Sequence, residues 1–155
     1  MLGTGERCRA IAFSCAALAA VAAYAFAGLI SNQVRAEAAL AVGLPGDVGK
    51  QGLAMGWALN YPSKEKAQAE ALKRCRNFQD APQSTKDLCK IIESFRQRCL
   101  AVALDPENGT TGVGWAVAKD QKQAEDLAMD RCLDTSDKKR RDFCRVTLTR
   151  CDGRK

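Results

Sequence analysis

Short apolar runs recur along the chain after residue 38, each bounded by Gly, Pro, Asp or Asn. They read ALAVGL and LAMGWAL joined by PGDVGKQG, then LCKIIESF, then CLAVAL and GVGWAVA joined by DPENGTTG, and finally FCRVTLTRC. Their length and turn-rich borders predict six strands. The last run alternates Cys144, Val146 and Leu148 against Arg145, Thr147 and Thr149, the period of a strand with two unlike faces. Asn108-Gly109 predicts a tight turn between the fourth and fifth strands. Asn108-Gly109-Thr110 also fits a glycosylation sequon, and the turn accounts for it better.

After the second and fifth runs the apolar spacing becomes helical. Ser63 and Asp120 each stand 12 residues before a cysteine and predict N-caps, because their side-chain oxygens can accept from the free N–H groups of a first turn. Asp120 with Gln123 resembles a capping box. The inner faces of the two helices should be Ala67, Ala71, Leu72 and Cys75, and Ala124, Leu127, Ala128 and Cys132. Small alanines on these stripes would let a helix lie close to a sheet.

The two helical segments are also copies. KAQAEALKRC and QAEDLAMDRC, aligned on their cysteines, match at Ala67/Ala124, Ala71/Ala128, Arg74/Arg131 and Cys75/Cys132, with Leu72 opposite Met129. Gly-Trp-Ala precedes each, at Trp57 and Trp115. The expected fold is therefore α+β. It consists of two tandem ββαβ repeats over residues 39–99 and 99–155, an antiparallel sheet with one helix packed per repeat, sharing a core and stapled by disulfides. One such unit alone buries too little to be stable.

The first 38 residues carry a different pattern. Arg7 and Arg9 precede an uncharged, Ala-rich run whose apolar part spans residues 10–30, and Ala36-Glu37-Ala38 offers the small-x-small pattern of signal cleavage. An N-terminal hydrophobic helix of this length fits both a cleaved signal peptide and a single-span membrane anchor. With the arginines inside, both place the remainder outside the cytoplasm, in the periplasm or secreted, and the anchor reading adds membrane contact through residues 10–30.

Cysteine usage agrees with export. Of eight cysteines, Cys8 and Cys15 lie in the leader, and Cys75, Cys89, Cys99, Cys132, Cys144 and Cys151 lie after it. Their separations of 14, 10, 33, 12 and 7 lack the close pairs that zinc sites use, so no metal is expected. Six cysteines allow fifteen pairings. The repeat favours Cys75–Cys89 and Cys132–Cys144 within the copies, with Cys99–Cys151 tying the copies together.

The run of Gly-Trp-Ala, a Ser or Asp cap, Ala-x3-Ala-(Leu/Met)-x2-Cys, Cys-x-(Ile/Val) and a closing Cys resembles the bacterial "domain of unknown function 4189" family, in two copies. The resemblance implies a small, exported, cysteine-paired ββαβ unit, and it brings no catalytic residues. One departure is that CLAVAL opens with Cys99 where ALAVGL opens with alanine.

Candidate chemistry is sparse. The chain has no histidine, which removes the usual general base near neutral pH. Carboxylates such as Glu65, Glu70, Glu125, Asp126 and Asp130 lie among lysines and arginines on the helices, as solvated faces do. No catalytic residue and no cofactor is expected. Trp57 and Trp115 could stack on a ligand or anchor an interface, or plug the core of each unit. The net charge of +6 is concentrated after residue 137, where Lys138, Lys139, Arg140, Arg141 and Arg145 form the most site-like cluster, suited to anions. With one interleaved aromatic and an extracytoplasmic address, nucleic acid is not the expected partner. The leading expectation is an exported, non-catalytic binding or interaction module for a protein or an anionic envelope component. Its rivals are a membrane-anchored accessory subunit of a larger complex and, less favoured, an envelope-polymer hydrolase.

Overall fold

The computed structural model describes residues 36–153. The expected leader or anchor therefore lies almost wholly outside the described residues, as do Cys8 and Cys15. Among the described residues no helix is long and apolar enough to cross a membrane.

The chain runs β1 (Glu37–Gly43), α1 (Val48–Gln51), β2 (Ala54–Tyr61), α2 (Lys64–Arg76), α3 (Gln83–Lys86), β3 (Lys90–Phe95), β4 (Cys99–Leu104), β5 (Val113–Ala118), α4 (Gln121–Thr135), a 3-10 turn at Arg141–Phe143, and β6 (Arg145–Cys151). The strands form two antiparallel three-stranded sheets, ordered β2-β1-β3 and β5-β4-β6. Each half is thus strand, strand, helix, strand. Ser63 and Asp120 cap the long helices as expected, accepting from the N–H groups of Lys66 at 3.3 Å and Gln123 at 2.9 Å.

Alternation within the strands sorts side chains by size. Ala39, Ala41, Ala54 and Ala58 face α2, and Ala101, Ala103, Ala116 and Ala118 face α4. The intervening residues are large: Leu40, Val42 and Met55 from one sheet meet Leu100 and Val102 from the other in a shared core, with Trp57 and Trp115 packed against it. Four layers result: helix, sheet, sheet, helix. A strand rich in small residues on one face lets a helix approach, while its other face supplies the apolar bulk that holds the sheets together.

The regular alternation expected for the last strand breaks at a bulge. Val102 pairs with Leu148 but Ala103 pairs with Val146, so Thr147 is the extra residue. Val146 accordingly packs under α4 while Leu148 turns to the inter-sheet core. The same irregularity recurs in the first half, where Leu40 pairs with Glu93 and Ala41 with Ile91. A bulge adds one unpaired residue and switches the face to which the next side chains point.

The disulfides are Cys75–Cys89, Cys132–Cys144 and Cys99–Cys151. The first two tie each helix to the segment after it. The third, expected from the repeat to join the halves, does not do so. It is a cross-strand bridge inside the second sheet, because Cys99 opens β4 and lies opposite Cys151 on β6. Strand register also matches Cys99 in role to Glu37 rather than to an alanine, since Leu40 faces Trp57 as Val102 faces Trp115. In the first half that location holds an ion pair, Glu37 to Arg96 at 2.5 Å. Two halves with one topology thus close the same strand ends by different chemistry.

The link between halves at the chain's end is Asp152, which is 2% exposed. Its carboxylate accepts from the N–H of Asn60 at 2.8 Å and of Gln97 at 3.0 Å, while Gly153 N–H donates to the Asn60 side chain at 2.8 Å.

Candidate functional site

The Gly-Trp pairs sit on edge strands, and their surroundings explain why Arg74 and Arg131 match in the repeat. An edge strand leaves backbone groups unpaired along its outer side. The Trp57 carbonyl accepts from Arg74 Nη1 at 2.9 Å, and the Trp115 carbonyl accepts from Arg131 Nη1 in the same way. In the second half Thr135 Oγ1 adds a further pair of contacts, to the N–H and the carbonyl of Val113, each 2.8 Å. The helix thereby covers the strand edge it lies beside.

A cleft opens at each of these edges. The larger, about 840 Å³, is walled on one side by the β1–α1 loop, from Leu44 through Val48. Its other walls are Thr111 and Val113 to Trp115 along β5, and Arg131, Asp134 and Thr135 on α4. Leu44, at 46% exposed, stands at its rim. The first half has a smaller counterpart of about 440 Å³ at Met55, Trp57, Arg74 and Phe78. Trp57 and Trp115 are each half-buried, at once packed on the inter-sheet core and lining a cleft.

Of the carboxylates lining the two clefts (Asp47, Asp134 and Asp80), Asp47 is bonded locally. Asp47 caps α1 through the Lys50 N–H and pairs with the Lys50 ammonium at 2.9 Å. The Lys50 side chain is the main reason its carboxyl is held below the ordinary range, the opposite of what a general acid requires. On the helices Glu70 bonds Arg74, Asp126 bonds Lys122, and Glu125 accepts from Gln121 and Thr149. Among the described residues no group of three or more Cys, Asp or Glu converges as a metal holder.

The basic cluster is divided by the fold. Lys138, Lys139, Arg141 and Arg145 are exposed. Arg140 is not: it grips the fully buried carboxylate of Asp105 through Nε at 2.5 Å and Nη2 at 2.9 Å, pairs with Glu107 at 2.8 Å, and stacks on Phe143 with 4.5 Å to the ring centroid. It anchors the β4–β5 loop to the segment before β6. Sequence could not single it out among four consecutive cations, because Asp105 lies 35 residues away.

The Arg140 guanidinium is the chief cause that holds the Asp105 carboxyl below its usual range. A depressed folded value means that the stabilisation is complete above the unfolded carboxylate range and is lost as pH falls through the folded one. In melting curves taken from pH 6 to about 2, Asp105→Asn should lie below the wild type at the upper end and converge with it at the lower. Parallel curves would contradict the assignment.

Residues 38–151 match the family model described as Domain of unknown function (DUF4189). The chain belongs to that family. The DUF4189 match is one span across both halves, so the four-layer body as a whole is what the family model covers. No curated protein and no solved structure matches the chain.

Proposed function

We propose that this DUF4189 domain is an exported, non-catalytic binding module, periplasmic or secreted, and that the larger cleft is where it holds what it binds. The observation that carries the reading is the composition of that cleft. Apolar walls from Leu44, Pro45, Val48, Val113 and Trp115 surround a few polar groups, as in small-ligand sites, and its volume falls in their usual range of about 300–1,000 Å³. Asp47, the carboxylate whose bonds are defined, caps a helix instead of standing ready for proton transfer. Three disulfides fit an oxidising, extracytoplasmic setting, and one of them, Cys132–Cys144, ties down α4, which forms a wall of the cleft. Exposed Lys138, Lys139, Arg141 and Arg145 add a basic surface suited to an anionic envelope component or an acidic protein partner.

The test is a ligand-observed NMR screen of small apolar and charged fragments against the oxidised protein, repeated on Gly46→Phe. Gly46 lines the cleft, and a Cβ there would meet nothing within 4 Å, so a side chain can be added at this position without a backbone clash. Binders should lose at least half their saturation-transfer signal in the variant. Binders indifferent to Gly46→Phe would move the site elsewhere and end this reading.

A further inference from the structure

The two halves place the same arginine on the same strand edge but surround it differently. In the first, Arg74 Nη1 holds the Trp57 carbonyl while its Nε donates to a carboxylate, Glu70 Oε1, at 2.8 Å. One edge of the guanidinium secures the strand and the adjacent edge is filled by an acid one helical turn earlier. In the second half Arg131 Nη1 likewise holds the Trp115 carbonyl, but the residue one turn earlier is Leu127. Leu127 was expected on the inner face of its helix. It is instead 39% exposed, and Met129 packs beneath the helix. Among the described residues Arg131 forms no ion pair. The larger cleft opens at this arginine, and the smaller cleft at the one already neutralised.

We infer that the larger cleft binds a small organic acid with an apolar or aromatic body. Its carboxylate sits on the free Nε–Nη2 edge of Arg131, and its body lies against Trp115, Val113 and Leu44. Glu70 displays in the first half, through Nε, part of the contact that the ligand makes in the second. The Nε–Nη2 edge is planar and offers two parallel donors, the geometry that suits a carboxylate. Fixing Nη1 on the strand pre-orients that edge, so little side-chain freedom remains to be lost on binding. The C-terminal carboxylate of a peptide presents the same chemistry, and the experiment separates the two. This inference rests on the cleft being the binding site and adds what it selects.

The experiment uses Trp57→Phe, which leaves Trp115 as the sole tryptophan reporter. Phenylacetate should shift Trp115 fluorescence saturably, and phenylacetamide, its uncharged analogue, should bind at least about 10-fold more weakly. Arg131→Gln should weaken phenylacetate by a similar factor. Because that change also uncovers the β5 edge, Leu127→Glu is the decisive variant. It keeps Arg131, sits on an exposed helical position, and supplies the second half with its own internal carboxylate. Phenylacetate binding should fall about 10-fold or more in Leu127→Glu at unchanged melting temperature, and be retained in Leu127→Gln. Equal binding of acid and amide, or acid binding indifferent to Leu127→Glu, overturns the inference while the cleft remains a binding site. A peptide with a free C-terminal Phe binding more tightly than phenylacetate overturns the assignment to a small acid. Phenylacetate and fragment binding that is indifferent to Gly46→Phe instead removes the underlying reading as well.

Discussion

Gly114→Ala should be among the most damaging single substitutions in the protein, costing about 3 kcal/mol or more and lowering Tm by roughly 10–20 °C. A Cβ at residue 114 would stand 2.2 Å from the Ala128 carbonyl oxygen and 2.5 Å from the Cys132 backbone nitrogen. Both are backbone atoms of α4, which cannot swing aside as a flexible side chain would. The helix must lift from the sheet, and it is stapled there by Cys132–Cys144. Gly56 repeats the situation beneath α2, with 2.2 Å to the Ala71 oxygen and 2.3 Å to the Cys75 nitrogen. The glycine beside each tryptophan therefore serves packing, not a phosphate or a turn. Urea unfolding of the oxidised protein measures the cost, with Gly46→Ala as the control, expected within about 0.5 kcal/mol of wild type. A Gly114→Ala protein as stable as that control would mean that helix and strand do not approach so closely.

Asp152→Ala should be comparably severe, at about 3 kcal/mol, since each hydrogen bond to a charged group contributes about 1.5–3 kcal/mol and two are lost. The damage has a second source. Asn60 and Gln97, the two N–H donors, both have left-handed backbones, at φ 62° and 52°. Asparagine accommodates this readily, whereas for glutamine it is strained. Asp152 thus holds two unusual turns and joins the end of β6 to the first half. Asp152→Asn keeps one acceptor oxygen and should lose about half as much in the same urea titration. Adding Gln97→Gly to Asp152→Ala should return about 1 kcal/mol by relieving the strain. An Asp152→Ala variant within about 0.5 kcal/mol of wild type, a margin typical of inert surface positions, would refute the coupling.

The features legible in the chain share a physical character. Strand extents, the Ser63 and Asp120 caps, and the helix stripes through Ala67, Ala71 and Cys75 depend on residues a few positions apart, where periodicity and capping chemistry act directly. The division of small residues under the helices from large residues between the sheets was equally present in runs such as AMGWALNY and VGWAVA. It reads clearly only once each strand face is assigned to a layer.

What the amino-acid order determined by itself was the succession of elements, the twofold plan, the cap residues and an even set of cysteines spaced for pairing. Tertiary structure decided the rest. It set the bulges that send Val146 and Leu148 to different layers, kept Cys99–Cys151 within one sheet, withdrew Arg140 from the basic surface and turned Leu127 outward beside Arg131. The difference is one of range. A hydrogen bond to the next turn is encoded where it acts, whereas a contact such as Arg140 with Asp105, or a wall shared by the β1–α1 loop and β5, exists only after remote segments have been packed together.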